Sequence, residues 1–181
     1  MSIFEPAFKL LMLHEGGYAN NKKDKGGETY RGIARNYWPE WVGWKLIDHV
    51  KEYEATRLNK LNRIMEQSES LNECVKMFYQ KEFWKKNNLN LIDEQDVANF
   101  LLDFFVNSGS GVSIIQRLVG VEADNVCGSK TIKAINDYCS RLGLKKALTE
   151  MVEARVNYLK TLAGFDVFGS GWINRAKSYL S

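Results

Sequence analysis

Proline is scarce in this sequence, with only Pro6 and Pro39 among its 181 residues. Because proline breaks helices, its scarcity permits long helices along almost the whole chain. Long apolar runs are absent too, and no stretch approaches the roughly eighteen residues that suggest a membrane-spanning helix. Residues 1–18 carry two acids and lack a basic segment, a long apolar segment and a small-residue cleavage site. We therefore expect neither a signal peptide nor stable insertion into a membrane.

Charge of either sign is not concentrated anywhere. The 25 basic and 22 acidic residues leave a net charge of +3, and the densest basic segment, KKDK at residues 22–25, contains an aspartate. No basic block of the kind that binds nucleic acid is present, so no nucleic-acid partner is expected. The three cysteines are odd in number and show no CxxC spacing, which argues against a disulfide framework and against a zinc site.

Apolar residues recur at helical spacing along most of the chain, which predicts a mostly α fold. A strongly apolar helix around residues 97–105 should be the central buried one. Residues 18–32, rich in Asn, Lys, Gly and Asp, indicate a loop or short β-hairpin after the first helix, and residues 164–171 indicate a loop. Ser129 is expected to cap the helix that follows it. Helices are expected at residues 4–15, 33–37, 51–83 with a break near 68–70, 97–105, 112–119, 130–140, 144–161 and 172–180.

Glu15 is the strongest candidate for a catalytic residue. Asp24 follows it nine residues later, and Thr29 follows five residues after that. Hydrolysis of a glycosidic bond with inversion requires a carboxylic acid that protonates the leaving oxygen, and a second polar group far enough away to admit a water. Glu15 would supply the acid, while Asp24 and Thr29 would assist the water. On spacing alone, a solvated glutamate at a helix end is the more common explanation.

Three further side chains are candidates for contact with a substrate. Tyr18 and Tyr30 fall in the glycine-rich segment, and this loop position favours stacking on sugars over packing in the core. Asn107 follows the apolar helix, where binding a substrate and capping the helix are equally good explanations. His14 adjoins Glu15, but consecutive helical residues point about 100° apart, so a catalytic His–Glu pair is not expected. No metal or organic cofactor is expected either.

Two segments resemble the signature of glycoside hydrolase family 108, the lysozyme-like muramidases. HEGGY at residues 14–18 and DKGGETYRGIA at residues 24–34 follow its pattern of E-G-G-Y, then D-x-G-G-x-T, then a G-I pair. The second half of the chain resembles the predicted peptidoglycan-binding segment that accompanies this domain. Its matching residues are FVNSG at 105–109, QR at 116–117, DNVCG at 124–128, Thr131, Arg155, Tyr158, GW at 171–172 and Arg175.

The sequence departs from the family pattern at two places. The loop around the aspartate, which usually contains prolines, is here the more basic NNKKDKGG, and its lysines could pair with Asp24. Asn125 stands where the turn in the second half usually has a glycine. Because asparagine tolerates the left-handed conformation, this turn is expected to form.

The resemblance implies a mostly α, lysozyme-like fold in which Glu15 is the catalytic acid. It implies hydrolysis of the β-1,4 bond between N-acetylmuramic acid and N-acetylglucosamine in peptidoglycan glycan strands. Residues 1–90 would form the muramidase segment and residues 91–181 the peptidoglycan-binding segment, packed as one globular unit in a monomer. Family members occur as phage or prophage endolysins and as secretion activators. A protein without a signal peptide would be made in the bacterial or phage-infected cytoplasm and reach the cell wall by another route.

Two other functions are compatible with the sequence. The protein could be an accessory module that binds peptidoglycan without cleaving it, as part of a secretion or phage lysis system. It could also be an α-helical interaction protein that shares only the architecture of lysozymes, since fold alone does not determine function. The combination of Glu15, Asp24 and Thr29 favours the enzyme, because a pure binding module has no need of that trio.

Overall fold

The computed structural model describes residues 1–21, 26–53 and 58–180. Within these residues the chain is mostly α-helical, and its strands belong to one three-stranded sheet. The predicted mostly α fold, with a short hairpin region after the first helix, is therefore confirmed. No helix within the described ranges is both long and apolar enough to cross a membrane.

Two compact units make up the chain. The helical unit combines Met1–Leu11 with Lys81–Ser181, and the hairpin unit consists of Met12–Gln80. The predicted functional segments, residues 1–90 and residues 91–181, stay a prediction, because a spatial grouping does not test where one function ends and another begins.

The sheet of the hairpin unit contains three very short antiparallel strands in the order β1-β2-β3. They are β1 (Tyr18–Asn20), β2 (Glu28–Tyr30) and β3 (Ile33–Ala34). The register places Tyr30 opposite both Tyr18 and Ile33. Arg31 and Gly32 form the two-residue connection from β2 to β3, with φ values of +48° and +79°. Positive φ at both central residues is the signature of a type I′ turn, which suits the twist of a hairpin.

The prediction of a helix at residues 33–37 is wrong, because Ile33 and Ala34 pair with β2 instead. A helix that the periodicity did not reveal, α2 (Gly43–Tyr53), follows after a turn. It buries Trp44, Ile47 and Val50, which recur every three residues and therefore lie on one side of the helix.

The predicted break near residues 68–70 is confirmed. Helix α3 (Leu58–Gln67) ends there, and α4 (Glu69–Tyr79) begins. Ser68 is the N-cap of α4, and its hydroxyl accepts a hydrogen bond from the Leu71 amide at 3.3 Å. This bond satisfies one of the free N–H groups that every helix start exposes, and so fixes where α4 begins.

The helical unit is built around the buried helix that the sequence predicted. This helix is α5 (Gln95–Asn107), and every residue from Val97 to Phe105 is buried. The other α-helices of this part of the chain are α1 (Phe4–Met12), α6 (Gly111–Val119), α7 (Ser129–Leu142), α8 (Leu144–Leu159) and α9 (Phe165–Lys177). Helix α8 packs against α6, α7 and α9. Shorter helical turns occupy Gln80–Lys85, Leu89–Leu91 and Ser178–Leu180.

Three predicted boundaries in these helices are wrong. Helix α1 ends at Met12 and does not reach Glu15; the apolar residue that suggested a longer helix, Leu13, is 77% exposed. Ser129 is the first residue of α7, and Gly128 occupies the N-cap position. The loop predicted after Gly164 is the first half of α9.

The glycines in α9 explain the last of these errors. Gly169 is buried, and a Cβ atom there would lie 2.7 Å from the Phe165 ring. This glycine therefore allows a close approach inside the helix, whereas glycine in a sequence usually indicates a helix end.

The turn in which asparagine replaces glycine has the expected conformation. Asn125 has a φ of +61°, in the left-handed region. Its side chain accepts a hydrogen bond from the Ser113 amide at 3.1 Å and donates one to the Gly109 carbonyl at 2.9 Å. The buried Gln116 side chain supports the same turn, accepting from the Asn125 amide at 2.9 Å. These bonds offset the cost of left-handed backbone at a residue with a Cβ atom.

Candidate active site

The carboxyl group of Glu15 lies against the turn between β2 and β3. Glu15 follows α1 and precedes β1, and its side chain is half-buried. A Cβ atom placed on Gly32 would lie 2.5 Å from Glu15 Oε2 and 3.1 Å from Glu15 Cδ. Real Cβ atoms essentially never approach another heavy atom as closely as the 2.5 Å separation from Oε2. The carboxyl group can therefore occupy this position only because residue 32 is glycine.

The same face of Gly32 is bordered by a tyrosine that the sequence analysis did not identify. A Cβ atom on Gly32 would lie 2.6 Å from the Tyr79 hydroxyl oxygen. That hydroxyl donates a hydrogen bond to the Arg31 carbonyl at 2.6 Å. Tyr79 is the last residue of α4 and is 1% exposed. The carboxyl group of Glu15, the turn at 31–32 and the end of α4 are thus brought together within the hairpin unit.

Of the two residues predicted to assist Glu15, Thr29 lies on β2 and Asp24 lies outside the described residues. Thr29 is half-buried, and its hydroxyl donates to the Gly27 carbonyl at 3.3 Å. It pairs across the sheet with Ala19 and Ala34. Because Glu15 rests on the turn that ends β2, the carboxyl group and Thr29 belong to one short hairpin.

Tyr18 and Tyr30, expected in a loop or short hairpin, lie in strands β1 and β2, and both are buried. Tyr18 is 7% exposed, and its hydroxyl donates to Glu28 Oε1 at 2.5 Å. Burial, followed by the neighbouring Glu28 carboxylate, raises the pKa of Tyr18. Tyr30 is fully buried, its pKa is raised by burial, and its hydroxyl has no hydrogen-bond partner among the described residues. Both rings are buried, so a sugar could contact them only where a side chain moves aside, and their contact with a substrate stays a prediction.

Asn107 is the last residue of α5, in the helical unit, and is exposed. Its side-chain amide donates to the Asp103 carbonyl, one turn earlier, at 2.9 Å. This contact supports the capping explanation, and binding of a substrate by Asn107 stays a prediction.

An ionic network that the sequence analysis missed surrounds Glu28 on β2. Its carboxylate accepts hydrogen bonds from Lys51 Nζ and Arg35 Nη1, both at 2.6 Å. Arg35 also binds both oxygens of Asp48, at 2.7 and 2.6 Å. The network ties the sheet to α2. No spacing in the sequence could have revealed it, because the partners lie 7 to 23 residues apart on different elements.

Opposing effects act on the charge of Glu28. Burial, the largest effect, favours its neutral form, but hydrogen bonds from Lys51, Tyr18 and Arg35 together outweigh burial and lower its pKa. Glu28 is therefore a structural anion that holds cations and a hydroxyl in place, and it is poorly suited to donate a proton. Burial is also the largest single effect on the neighbouring Lys51 and lowers its pKa, but the hydrogen bond and charge of Glu28, together with Tyr18, outweigh burial and raise it.

No candidate metal site is present in the part of the chain that the structure describes. Residues 1–21, 26–53 and 58–180 contain no group of three or more His, Cys, Asp or Glu side chains that could hold a metal ion. Around Glu15 the structure places a half-buried carboxyl group on a glycine turn, beside a strand that carries a hydroxyl group. A carboxyl group in such a position can donate a proton to a group that binds beside it.

Comparisons with known proteins identify a family and a similar fold. The sequence model of a family described as Glycosyl hydrolase 108 matches residues 8–109. Among solved structures, the chain is similar to that of Brucella abortus SagA, with a TM-score of 0.67 and 25% sequence identity, over 98% of this chain and 91% of that chain. This likeness over nearly the whole length confirms the predicted lysozyme-like helical fold. A comparison with curated proteins finds none that matches.

Proposed function

Because this chain belongs to the glycosyl hydrolase 108 family, we propose that it is an N-acetylmuramidase acting on peptidoglycan. The bond cleaved would be the β-1,4 bond between N-acetylmuramic acid and N-acetylglucosamine. The observation that supports the proposal is the position of the Glu15 carboxyl group, which packs against Gly32. We call this contact with Gly32 the seat of the carboxyl group. A carboxyl group with a fixed position can transfer its proton to a leaving oxygen that binds within hydrogen-bond reach.

Glu15 acts as the general acid in this proposal. It gives its proton to the glycosidic oxygen while the bond from that oxygen to the anomeric carbon breaks. A water attacks the anomeric carbon from the opposite side and loses a proton to Asp24, which, with the Thr29 hydroxyl, orients it. The configuration at the anomeric carbon is inverted, and the product carries a new reducing end on N-acetylmuramic acid.

The proposed location of the protein follows from its proposed substrate. Peptidoglycan glycan strands are its partner, so it acts at the bacterial cell wall. The proposal also takes the protein to be a monomer, which is an independent assumption. A role as a phage endolysin or as a secretion activator would use the same reaction.

The test measures soluble fragments released from purified peptidoglycan, with mass analysis of the new sugar ends. Glu15→Gln removes the transferable proton and keeps the size of the side chain, so we expect no release, with folding and binding to peptidoglycan retained. Asp24→Asn should cost less activity than Glu15→Gln, and Thr29→Ala less again. Glu122→Gln, the same change at an exposed glutamate, is the matched control and should behave like the wild type.

Two results would overturn the proposal. A fully active Glu15→Gln variant would remove Glu15 from the reaction. No fragments from the wild type, with both proteins still sedimenting with peptidoglycan, would favour the alternative of a non-catalytic binding module in a secretion or lysis system.

A further inference from the structure

The Arg31–Gly32 turn, against which the Glu15 carboxyl group lies, accepts a hydrogen bond from a buried hydroxyl group. The Tyr79 hydroxyl donates to the Arg31 carbonyl at 2.6 Å, a short bond for a neutral donor and acceptor. Arg31 is a non-glycine residue with a φ of +48°, a conformation that few residues adopt without support. The hydrogen bond from Tyr79 supplies that support at the residue immediately before Gly32.

Tyr79 is itself well fixed. It is 1% exposed and ends α4, and its ring packs edge-on against Phe78 with a centroid separation of 5.2 Å. Its hydroxyl oxygen and Glu15 Oε2 both border the position that a Cβ atom of Gly32 would take, at 2.6 and 2.5 Å. Tyr79 thus touches both the turn and the space in which the Glu15 carboxyl group rests.

We propose that Tyr79 is a positioning residue for Glu15, and that Gly32 is the surface on which the carboxyl group is positioned. This inference rests on the proposed function, in which Glu15 is the acid. The Tyr79 hydroxyl fixes the position of the Arg31–Gly32 turn through its hydrogen bond to the Arg31 carbonyl. Because Gly32 has no Cβ atom, the carboxyl group of Glu15 can pack directly against this turn. Since a displacement of about 1 Å in a reacting group can slow a reaction about 100-fold, this seat sets the rate of proton transfer.

One pair of variants distinguishes a steric clash with the Glu15 carboxyl group from the backbone strain of replacing a glycine that has a positive φ. Gly32→Ala introduces a Cβ atom that collides with Glu15 Oε2, and should lower kcat on solubilised glycan strands at least 100-fold. Gly120→Ala is the matched control. Gly120 has almost the same φ, +80° against +79°, but no described atom lies within 4 Å of its would-be Cβ atom. The control carries the same backbone strain and should keep wild-type kcat.

A milder pair tests the hydroxyl itself. Tyr79→Phe keeps the ring and removes the hydroxyl that bonds to Arg31, and should lower kcat about 10-fold while KM changes less than twofold. A residue that merely stabilised the fold would leave kcat of the folded fraction unchanged, so circular dichroism melting accompanies each rate. Tyr138→Phe is the control, because Tyr138 is also buried (7% exposed), lies in the helical unit and donates its hydroxyl to Glu150.

The outcomes distinguish this proposal from the function on which it rests. Loss of kcat in Tyr79→Phe, with Tyr138→Phe unaffected, supports the positioning role even where Gly32→Ala does not fold. Wild-type kcat in Tyr79→Phe, together with an inactive Glu15→Gln, overturns the positioning role and leaves Glu15 as the acid. An active Glu15→Gln variant overturns both.

Discussion

Replacing Asp103 with asparagine should destabilise the protein by about 3–5 kcal/mol, because it breaks a buried ionic cluster. Asp103 lies on α5 and is fully buried. Its Oδ2 accepts from Arg155 Nη1 at 2.6 Å, and its Oδ1 accepts from Arg175 Nη2 and Nε at 2.6 and 2.9 Å. The cluster ties α5 to α8 and α9.

The magnitude follows from what the substitution leaves behind. Arg155 is 3% exposed and cannot turn toward water, so loss of the carboxylate leaves a buried guanidinium without its counter-charge. Its contact with the Phe104 ring, at 5.2 Å from the centroid, compensates only in small part. For a chain of this length, about 3–5 kcal/mol corresponds to a fall in Tm of roughly 6–20 °C.

Urea unfolding followed by far-ultraviolet circular dichroism measures the effect. Asp137→Asn is the control: this aspartate pairs with Lys133, both side chains are mostly exposed, and its loss should cost under about 1 kcal/mol. A triple variant, Asp103→Leu with Arg155→Met and Arg175→Met, should recover much of the stability, because it removes the whole cluster. A loss below about 1 kcal/mol in Asp103→Asn would refute the reasoning.

Two further predictions concern titrating groups. Burial raises the pKa of Cys127 to about 12 and that of Cys139 to about 11, so neither thiol should react with a disulfide reagent at pH 8 until the protein is denatured. Rapid reaction of both thiols in the native protein would contradict this. Glu28 has a lowered pKa, so its ionic network stabilises the fold fully above the ordinary value of 4.5 and less as the pH falls through the lower folded value. Glu28→Gln should therefore be less stable than the wild type at pH 7, with a difference that shrinks in acid; an equal difference at pH 7 and pH 3 would show that the carboxylate charge is not the cause.

Local patterns predicted much of the architecture. The apolar run at 97–105 identified α5, because a helix that is apolar all round must be buried. The break near residues 68–70 was predicted, and Ser68, which caps α4, fixes its place. Asn125 was expected to replace a glycine in a left-handed turn, and it does. In each case the interaction involved is short-range, so a few neighbouring residues contain the information.

Where packing decided the outcome, the same patterns failed. Ile33 and Ala34 joined a sheet because β2 was available to pair with them, which no local pattern states. Gly169 lies inside α9 because a ring packs where its side chain would be. Tyr18 and Tyr30 fall among loop-forming residues in the sequence, yet both are covered.

The sequence by itself determined the helical class, the family signature and the choice of Glu15 as the candidate acid. Only the tertiary structure decided where the carboxyl group of Glu15 rests and what holds it there. Gly32 was visible in the signature, but its role as a seat depends on Glu15 folding back onto it. Tyr79 carried no signal at all, because it meets Arg31 across 48 residues of chain. Contacts between residues so far apart exist only after the chain has folded, and a linear pattern therefore cannot encode them.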